Sequence, residues 1–589
     1  MAEFDLVIRG GTVVDGNGGA PRVADVAVRD GKVAEVGAVS GRGDREIDAA
    51  GLIVGPGFVD VHTHYDGQAD WDDRLQPSSL HGVTTVVAGN CGVGFAPVKP
   101  EHREKLLALM EGVEDIPGTV LSAGLSWSWS TFGEYLDTLE SRAWDIDLAT
   151  QVPHAALRFW AMGDRAAALE AATEEEIAEM AELAAQAVRD GALGFSTSRT
   201  INHKTRAGEV TPTYGSEARE LQAIAAAVGE TGTGVLQFVT DYPDLDEDFA
   251  LMRSMVTASG GRPLSVSLLQ KRTLPRLYQP TLDKITEANE AGLPIRAQVA
   301  SRGVGVMMGL TGSVHPFIMN PVWRTLAGLP VAEQAARMAD PETRAAILAA
   351  QTDQAAADRG VGGQRLARFE AMWELGEYPD YEPDVRNTVL ARATREGRTP
   401  EELVYDILIE DNGRGLIYQP FSNYFDGNLE AVREMLTHPY TVPGLGDGGA
   451  HVGVICDSSF TSTLLQYWVR DRPAGKLPVE LVFQKQSRDT ARLVGLNDRG
   501  VLAPGYRADI IVVDLDNLRM HRPRIVYDLP GGERRMQQPV DGYKHVFVTG
   551  VETYTDGTST GELPGRLVRG ARPVPDDAPV PDDAPVPAG

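Results

Sequence analysis

Cysteine is almost absent from this chain: 589 residues contain two, Cys91 and Cys456. Two thiols cannot build a disulfide scaffold, so the fold must rest on a packed core. Long apolar runs are missing as well. No stretch approaches the roughly 18 residues of a membrane-spanning helix. The first residues, MAEFDLVIRGG, lack a basic segment followed by an apolar one, so no secretory signal is expected and a cytoplasmic location is the default. Positive charge is in short supply: 55 Lys and Arg face 83 Asp and Glu, a net charge of −28. That excludes nonspecific binding to nucleic acid, which needs a basic surface, and disfavours anionic membranes as partners. Neither a Gly-x-Ser-x-Gly elbow with suitable partners nor a Walker-type phosphate loop occurs. A small-molecule substrate is the partner to expect, and the oligomeric state is left open.

What is present is ordinary globular composition, 42% hydrophobic and 23% charged, enough to bury a sizeable core. The length suits one barrel with insertions plus a side domain. The first 50 residues alternate in short β-rich segments with Gly turns, Phe4 to Arg9, Gly11 to Val14, Val23 to Arg29 and Lys32 to Val36. The same texture returns at Ala508 to Asp514 and Lys544 to Thr549. These patterns predict one small β-sandwich domain assembled from residues 1–55 and 500–570.

Between them, over 56–499, apolar β-rich runs alternate with helical patterns. The runs are Leu52–Val61, Val83–Ala88, Ala149–Val152, Ala192–Ser196, Val235–Thr240, Leu264–Leu269, Ile295–Ala300 and Tyr440–Leu445. Thr173 to Glu176 forms a capping box, with Ile177, Met180, Ala181, Ala184, Ala187 and Val188 on one helical face and Gly191 as terminator. Eight continuous strands alternating with helices predict an α/β fold, a TIM-like (β/α)8 barrel. About 140 residues separate the seventh and eighth runs, too many for a crossover helix, so 319–413 is read as a helical insertion. Residues 573–589 repeat Val-Pro-Asp-Asp-Ala-Pro and are expected to be a disordered acidic tail.

The chemistry concentrates at Gly55-Pro56-Gly57-Phe58-Val59-Asp60-Val61-His62-Thr63-His64. Strand alternation puts His62 and His64 on one side, and two imidazoles at a barrel mouth make half of a zinc site. This segment resembles the first-strand motif of the amidohydrolase superfamily. Gly82 to Gly92, which ends in Asn90-Cys91-Gly92, His154 to Arg158 with Met162-Gly163, and Gly191 to Thr197 resemble strands two, three and four of its N-acyl-D-amino-acid deacylase (D-aminoacylase) branch. Gly505 to Asp509 and Gly565 to Gly570 are similar to that branch's returning β domain. The resemblance implies a divalent metal, zinc by preference, on His62, His64, Cys91 and Asp447. It also implies Asp447, in Gly446 to His451, as the proton-handling carboxylate, and Lys271 as the partner of a substrate carboxylate. Arg199, with Lys204 and Arg206, is a further candidate for an anionic group. His451 is read as an ordinary loop histidine and Cys456 as structural.

The same resemblance implies metal-binding histidines at the ends of strands five and six, yet no histidine lies between His203 and His315. Gln237, Asp241 and Gln270 are the possible stand-ins. Amide oxygens bind zinc poorly beside imidazole, so one ion per chain is expected. The implied activity is hydrolysis of an N-acyl-D-amino acid or related N-acyl compound. Hydrolysis of a cyclic amide, imide or carbamate, and a catalytically silent binding protein, are the alternatives. Deleting Val574 to Gly589 is expected to leave the melting temperature and activity unchanged, because Pro and Asp there bury little apolar surface. A clearly lowered melting temperature would show that the tail docks.

Overall fold

The computed structural model describes residues 2–359 and 365–576. The proline-rich repeat at 577–589 lies outside the described residues. Eight parallel strands surround the barrel in chain order: β1 Phe58–Asp60, β2 Val83–Ala88, β3 Asp147–Thr150, β4 Gly194–Arg199, β5 Val235–Thr240, β6 Leu264–Leu268, β7 Ile295–Val299 and β8 Thr441–Pro443. Nearly every strand residue is buried, as expected where helices cover the outside and side chains fill the inside. The ladder runs in two sheets, β1-β2-β3 and a six-stranded one. They meet at the third strand, which breaks at Gln151 and resumes as Val152–Pro153 beside β4. The eighth strand returns to the first just beyond their regular ends, through a parallel bridge between Thr63 and Gly448.

A nine-stranded sheet takes strands from both chain ends. The two ends meet where Ile510–Val513 pairs antiparallel with Ile53–Pro56. The sequence run Leu52–Val61 is therefore not one strand. Its first half belongs to this sheet and its second half to β1, with Gly57 as the switch. A Cβ on Gly57 would lie 2.2 Å from the Thr84 hydroxyl, so only glycine lets the chain turn against β2 here. The capping box at Thr173 forms as read: Thr173 Oγ1 accepts from the Glu176 amide at 3.3 Å, Glu176 accepts from the Thr173 amide at 2.8 Å, and the helix Glu174–Asp190 ends at Gly191.

The insertion contains the helices Val331–Met338, Pro341–Ala349, Val389–Glu396 and Pro400–Gly413. It also contains a small antiparallel sheet, Gly305–Met308 with Leu416–Pro420 with Trp373–Leu375. Two of those strands fall outside 319–413, because short strands flanking a helical segment leave no helical period to read. The unit has its own core around Met308, Met338, Val404, Leu408 and Ile417. Late in the chain, Arg524–Leu529 and Glu533–Gln537 form a hairpin that leaves the terminal sheet and reaches the barrel mouth, where the Met536 amide donates to the Val452 carbonyl at 2.7 Å.

A buried ionic knot ties the barrel to the returning chain. Arg499 donates to Asp147 at 2.7 Å and to the Thr85 hydroxyl at 3.0 Å, and Arg507 bridges Asp147 and Asp509. The Arg499 and Asp147 side chains are 2% and 1% exposed, so removing one leaves the other charge in a low-dielectric interior. Arg507 still faces Asp147, which places Arg499→Met near the lower end of the range for broken buried pairs, a loss of about 3 kcal/mol. Urea unfolding should show this as a lowered midpoint. An unchanged midpoint would mean the knot contributes nothing net.

Candidate metal centre

β1 delivers the two histidines. Beyond Asp60 the backbone stays extended enough that His62 and His64 share a side, their rings edge to face with centroids 5.6 Å apart. Thr63 points the other way and donates to the Val87 carbonyl at 2.8 Å. The return of β8 fixes the third partner: the His64 amide donates to the Gly448 carbonyl at 2.8 Å, and the Asp447 amide donates to the His62 carbonyl at 3.0 Å. As a result Asp447 Oδ1 stands 3.5 Å from His62 Nε2 and 3.6 Å from His64 Nε2. From the end of β2, Cys91 Sγ comes within 3.2 Å of His62 Nε2. The potential ligand atoms of His62, His64 and Cys91 all lie within 4.8 Å of one another. Four residues expected from the sequence are thus together. Cys91, Asp447 and His451 all have positive φ, at 57°, 46° and 51°. For residues with a Cβ this is a costly backbone region, held here by the surrounding hydrogen bonds.

Gln298 of β7 orients His62. Its amide oxygen faces His62 Nδ1 at 2.6 Å, and its amide nitrogen donates to Ser265 Oγ at 2.9 Å. Because the carbonyl end can only accept, Nδ1 carries the proton and Nε2 keeps a lone pair directed at Asp447 and Cys91. The possible stand-ins for the missing histidines resolve differently. Gln237 points into the barrel and accepts from the Cys91 amide at 3.2 Å, so it shapes the cysteine turn. Asp241 binds the Thr200 hydroxyl and the Ile201 amide, both at 2.8 Å, and holds down the loop after β4. Gln270 donates to Asp426 at 2.8 Å and accepts from the Phe425 amide at 3.2 Å, fastening the segment after the insertion.

Two residues that sequence reasoning passed over stand at the centre. Glu114, 2% exposed, brings Oε2 to 3.4 Å from His64 Nε2 and 3.7 Å from His451 Nε2. Its backbone carbonyl accepts from the His451 amide at 2.5 Å. The available signal was weak: an acid just past the last turn of helix Arg103–Val113, where the helix dipole disfavours negative charge. His203, after β4, is held by Ser198 Oγ at 2.8 Å. Burial, then the nearby charge of His64, pushes its pKa down to about 3.

Lys271 lies at the mouth beyond β6, with Nζ donating to the Asp241 carbonyl at 2.9 Å and 5.5 Å from the Tyr242 ring centre. Burial lowers its pKa, against the raising effect of Asp241. Arg199 ends β4. It follows Ser198 on the alternate face of β4, and its charge acts on Asp248 of the outer helix Leu245–Ala258, as that of Lys271 does. Lys204 forms a β-bridge with Val210, and Arg206 faces Glu111 and Asp115, so both serve the loop. Cys456 packs among Met307, Tyr418 and Met520.

The electrostatics favour a cation. Burial raises Asp60 to about 7, Asp66 to about 6 and Glu114 to about 7, and pushes the Cys91 thiol up to about 12. Burial lowers His62 to about 4. Burial pulls His64 down too, but the charge of Glu114 and the hydrogen bond with Asp447 outweigh it and hold His64 above its usual value. For Asp447, burial raises the pKa while His64 and His62 lower it further, leaving the carboxylate ionised. Imidazole nitrogens, a thiol and carboxylates crowded without enough positive charge form a donor set suited to zinc. Asp447, 21% exposed against 1–2% for the histidines and Glu114, is the more open to solvent.

Several known proteins are similar to this chain along nearly its whole length. A D-aminoacylase of Alcaligenes xylosoxydans xylosoxydans is 27% identical over 580 residues, covering 96% of this chain and 97% of that protein. An N-acyl-D-glutamate deacylase of the same organism is 28% identical over 574 residues, covering 96% and 97%. The crystal structure of a D-aminoacylase superposes with a TM-score of 0.63 at 23% identity, covering 96% of this chain and all of that one. The N-acyl-D-glutamate deacylase of Bordetella bronchiseptica, solved with zinc and a phosphonate mimic of the tetrahedral intermediate, superposes with a TM-score of 0.61 at 23% identity, covering 96% and 99%. The Amidohydrolase family model matches residues 45–559, and the chain belongs to that family.

Proposed function

We propose that the protein hydrolyses the amide bond of N-acyl-D-amino acids or related N-acyl compounds, with one divalent ion, zinc the best match, on His62, His64, Asp447 and Cys91. The carrying observation is that His62 Nε2 and His64 Nε2 both converge on Asp447 Oδ1, at 3.5 and 3.6 Å. The full-length relatives named as deacylases of N-acyl-D-amino acids supply the substrate class.

When bound, the ion supplies Lewis acidity, lowering the pKa of water toward neutrality and polarising the scissile carbonyl. The residues do the rest. Gln298 keeps the proton of His62 on Nδ1, so that Nε2 is free to bind. Asp447, ionised and partly open to solvent, takes the proton of the attacking water at Oδ as the oxygen adds to the carbonyl carbon. As the C–N bond breaks, the same carboxyl returns the proton to the leaving nitrogen. Lys271, at the mouth above β6, is the group we assign to the substrate carboxylate. Arg199, whose charge reaches Asp248 as that of Lys271 does, is the second cation we assign to that anion.

Asp447→Asn should keep much of the metal, because the histidines remain, yet lose about 10²–10⁴-fold in kcat/KM, the usual size of a proton-transfer contribution. His62→Ala should lose metal and activity together. Assays on a panel of N-acyl-D-amino acids, with metal analysis of each variant, separate the two. An Asp447→Asn enzyme as active as the parent would sink the proton-shuttle role. Gln298→Leu should weaken metal affinity by about 10–100-fold through the freed imidazole, and Gln298→Glu, which keeps an acceptor, should recover part of it. Equal dissociation constants for all three proteins would contradict the orienting role.

A further inference from the structure

We propose, resting on the metal-dependent reading above, that Glu114 is itself a metal ligand of this centre, joining His62, His64, Asp447 and Cys91 as a fifth protein donor from the loop that follows helix Arg103–Val113. For bonds of about 2.0–2.1 Å, adjacent ligands on one zinc stand roughly 3–3.5 Å apart, whether four or more donors surround it. Glu114 Oε2 and His64 Nε2 are 3.4 Å apart, as close as the 3.5 and 3.6 Å between Asp447 and the two imidazoles. Glu114 thus repeats that ligand-to-ligand spacing at one partner, His64.

The direction of approach separates a ligand from an orienting group. A carboxylate that positions a metal-binding histidine bonds the ring nitrogen facing away from the ion. Glu114 approaches Nε2, the nitrogen that also faces Asp447, while His64 Nδ1 has no hydrogen-bond partner among the described residues. Glu114 therefore lies on the metal side of the ring.

Among the described residues, the side-chain partners of Glu114 are imidazoles alone. Its side chain is 2% exposed, Oε1 has no hydrogen-bond partner among the described residues, and the ion-pair contacts of Oε2 are with His64 and His451. No lysine or arginine pairs with it among the described residues. It sits at the C-terminal end of a helix with no basic residue in its last turn. A buried carboxylate in such a place is costly unless it meets a cation. Its position is also built: the Glu114 carbonyl accepts the His451 amide, which ties this loop to the Asp447 loop. The residue takes up coordination on the β8 side that the absent strand-five and strand-six imidazoles do not provide on the other.

The test uses the full-length protein, stripped by chelator and reloaded with zinc or cobalt. The parent should take up about one ion. Glu114→Gln should raise the zinc dissociation constant at least about tenfold and shift the visible bands of the cobalt protein, because an oxygen donor of different charge alters the ligand field. Glu114→Asp, which keeps a carboxylate on a shorter arm, should retain an intermediate affinity, and it answers the question if Glu114→Gln fails to fold. Parent-like affinity and an unchanged cobalt spectrum in both variants would overturn the assignment while leaving a centre on His62, His64, Asp447 and Cys91 intact. A parent protein that takes up no ion, with His62→Ala no different from it, would overturn the metal-dependent reading and this ligand with it.

Discussion

The reciprocal pair of backbone hydrogen bonds between the ends of β1 and β8 is the constraint on which the rest depends. The His64 amide to Gly448 and the Asp447 amide to His62 close the barrel at one seam. They also set the distance of Asp447 from both imidazoles, so one contact serves architecture and chemistry together. The partners lie at opposite ends of the barrel sequence, and forming them requires every intervening strand to find its neighbour. Contacts of such long range are costly in loop entropy. They are worth retaining where a cooperative unit must hold donors within tenths of an ångström.

The seam is strained. Leu445, Asp447 and His451 take positive φ in one short loop, and Cys91 does so across the mouth. Each costs on the order of 1–3 kcal/mol. The anchors are identifiable: His451 by the Glu114 carbonyl, Cys91 by Gln237, and Gly448 by His64. Small residues allow the close approach, since a Cβ on Gly448 would sit 2.3 Å from Ser78 Oγ. The hairpin Arg524–Gln537 then covers this loop, and Met536, Arg535, Pro77 and Val452 wall a small cavity beside Asp447. The terminal segments that build the side sheet therefore also bound the space next to the proposed metal.

What could be read from the sequence followed local periods. Alternation over two residues put His62 and His64 on one side, continuous apolar runs located the eight strands within a few residues, and Thr173 to Glu176 marked a helix start that forms with both of its hydrogen bonds. What could not be read depends on packing between distant segments. The change of sheet at Gly57 is invisible in an apolar run whose two halves have the same composition. The strands Gly305–Met308 and Leu416–Pro420 are too short to show a period, so the insertion read as helical alone. Gln298 and Glu114 carry no motif. One orients His62 from across the barrel, and the other reaches His64 from a loop whose local sequence resembles any solvated turn.

The missing histidines have a physical consequence for how the mouth divides. At β5, Gln237 spends its carbonyl oxygen on the Cys91 amide, and its amide nitrogen has no partner among the described residues. It stiffens the cysteine turn but brings no imidazole. At β6, Gln270 is consumed by Asp426 and Phe425, and at the end of β5 Asp241 is consumed by the loop after β4. The β5–β6 side of the mouth has thus become scaffold, and Lys271 stands on it with Nζ on the Asp241 carbonyl. The β8–β1 side gathers the carboxyl groups of Asp447 and Glu114 with the imidazoles of His62, His64 and His451 in a buried setting. The dication proposed above would meet these groups on the β8–β1 side. The substitution of imidazole by amide at one side and the burial of a carboxylate at the other are therefore two halves of the same arrangement.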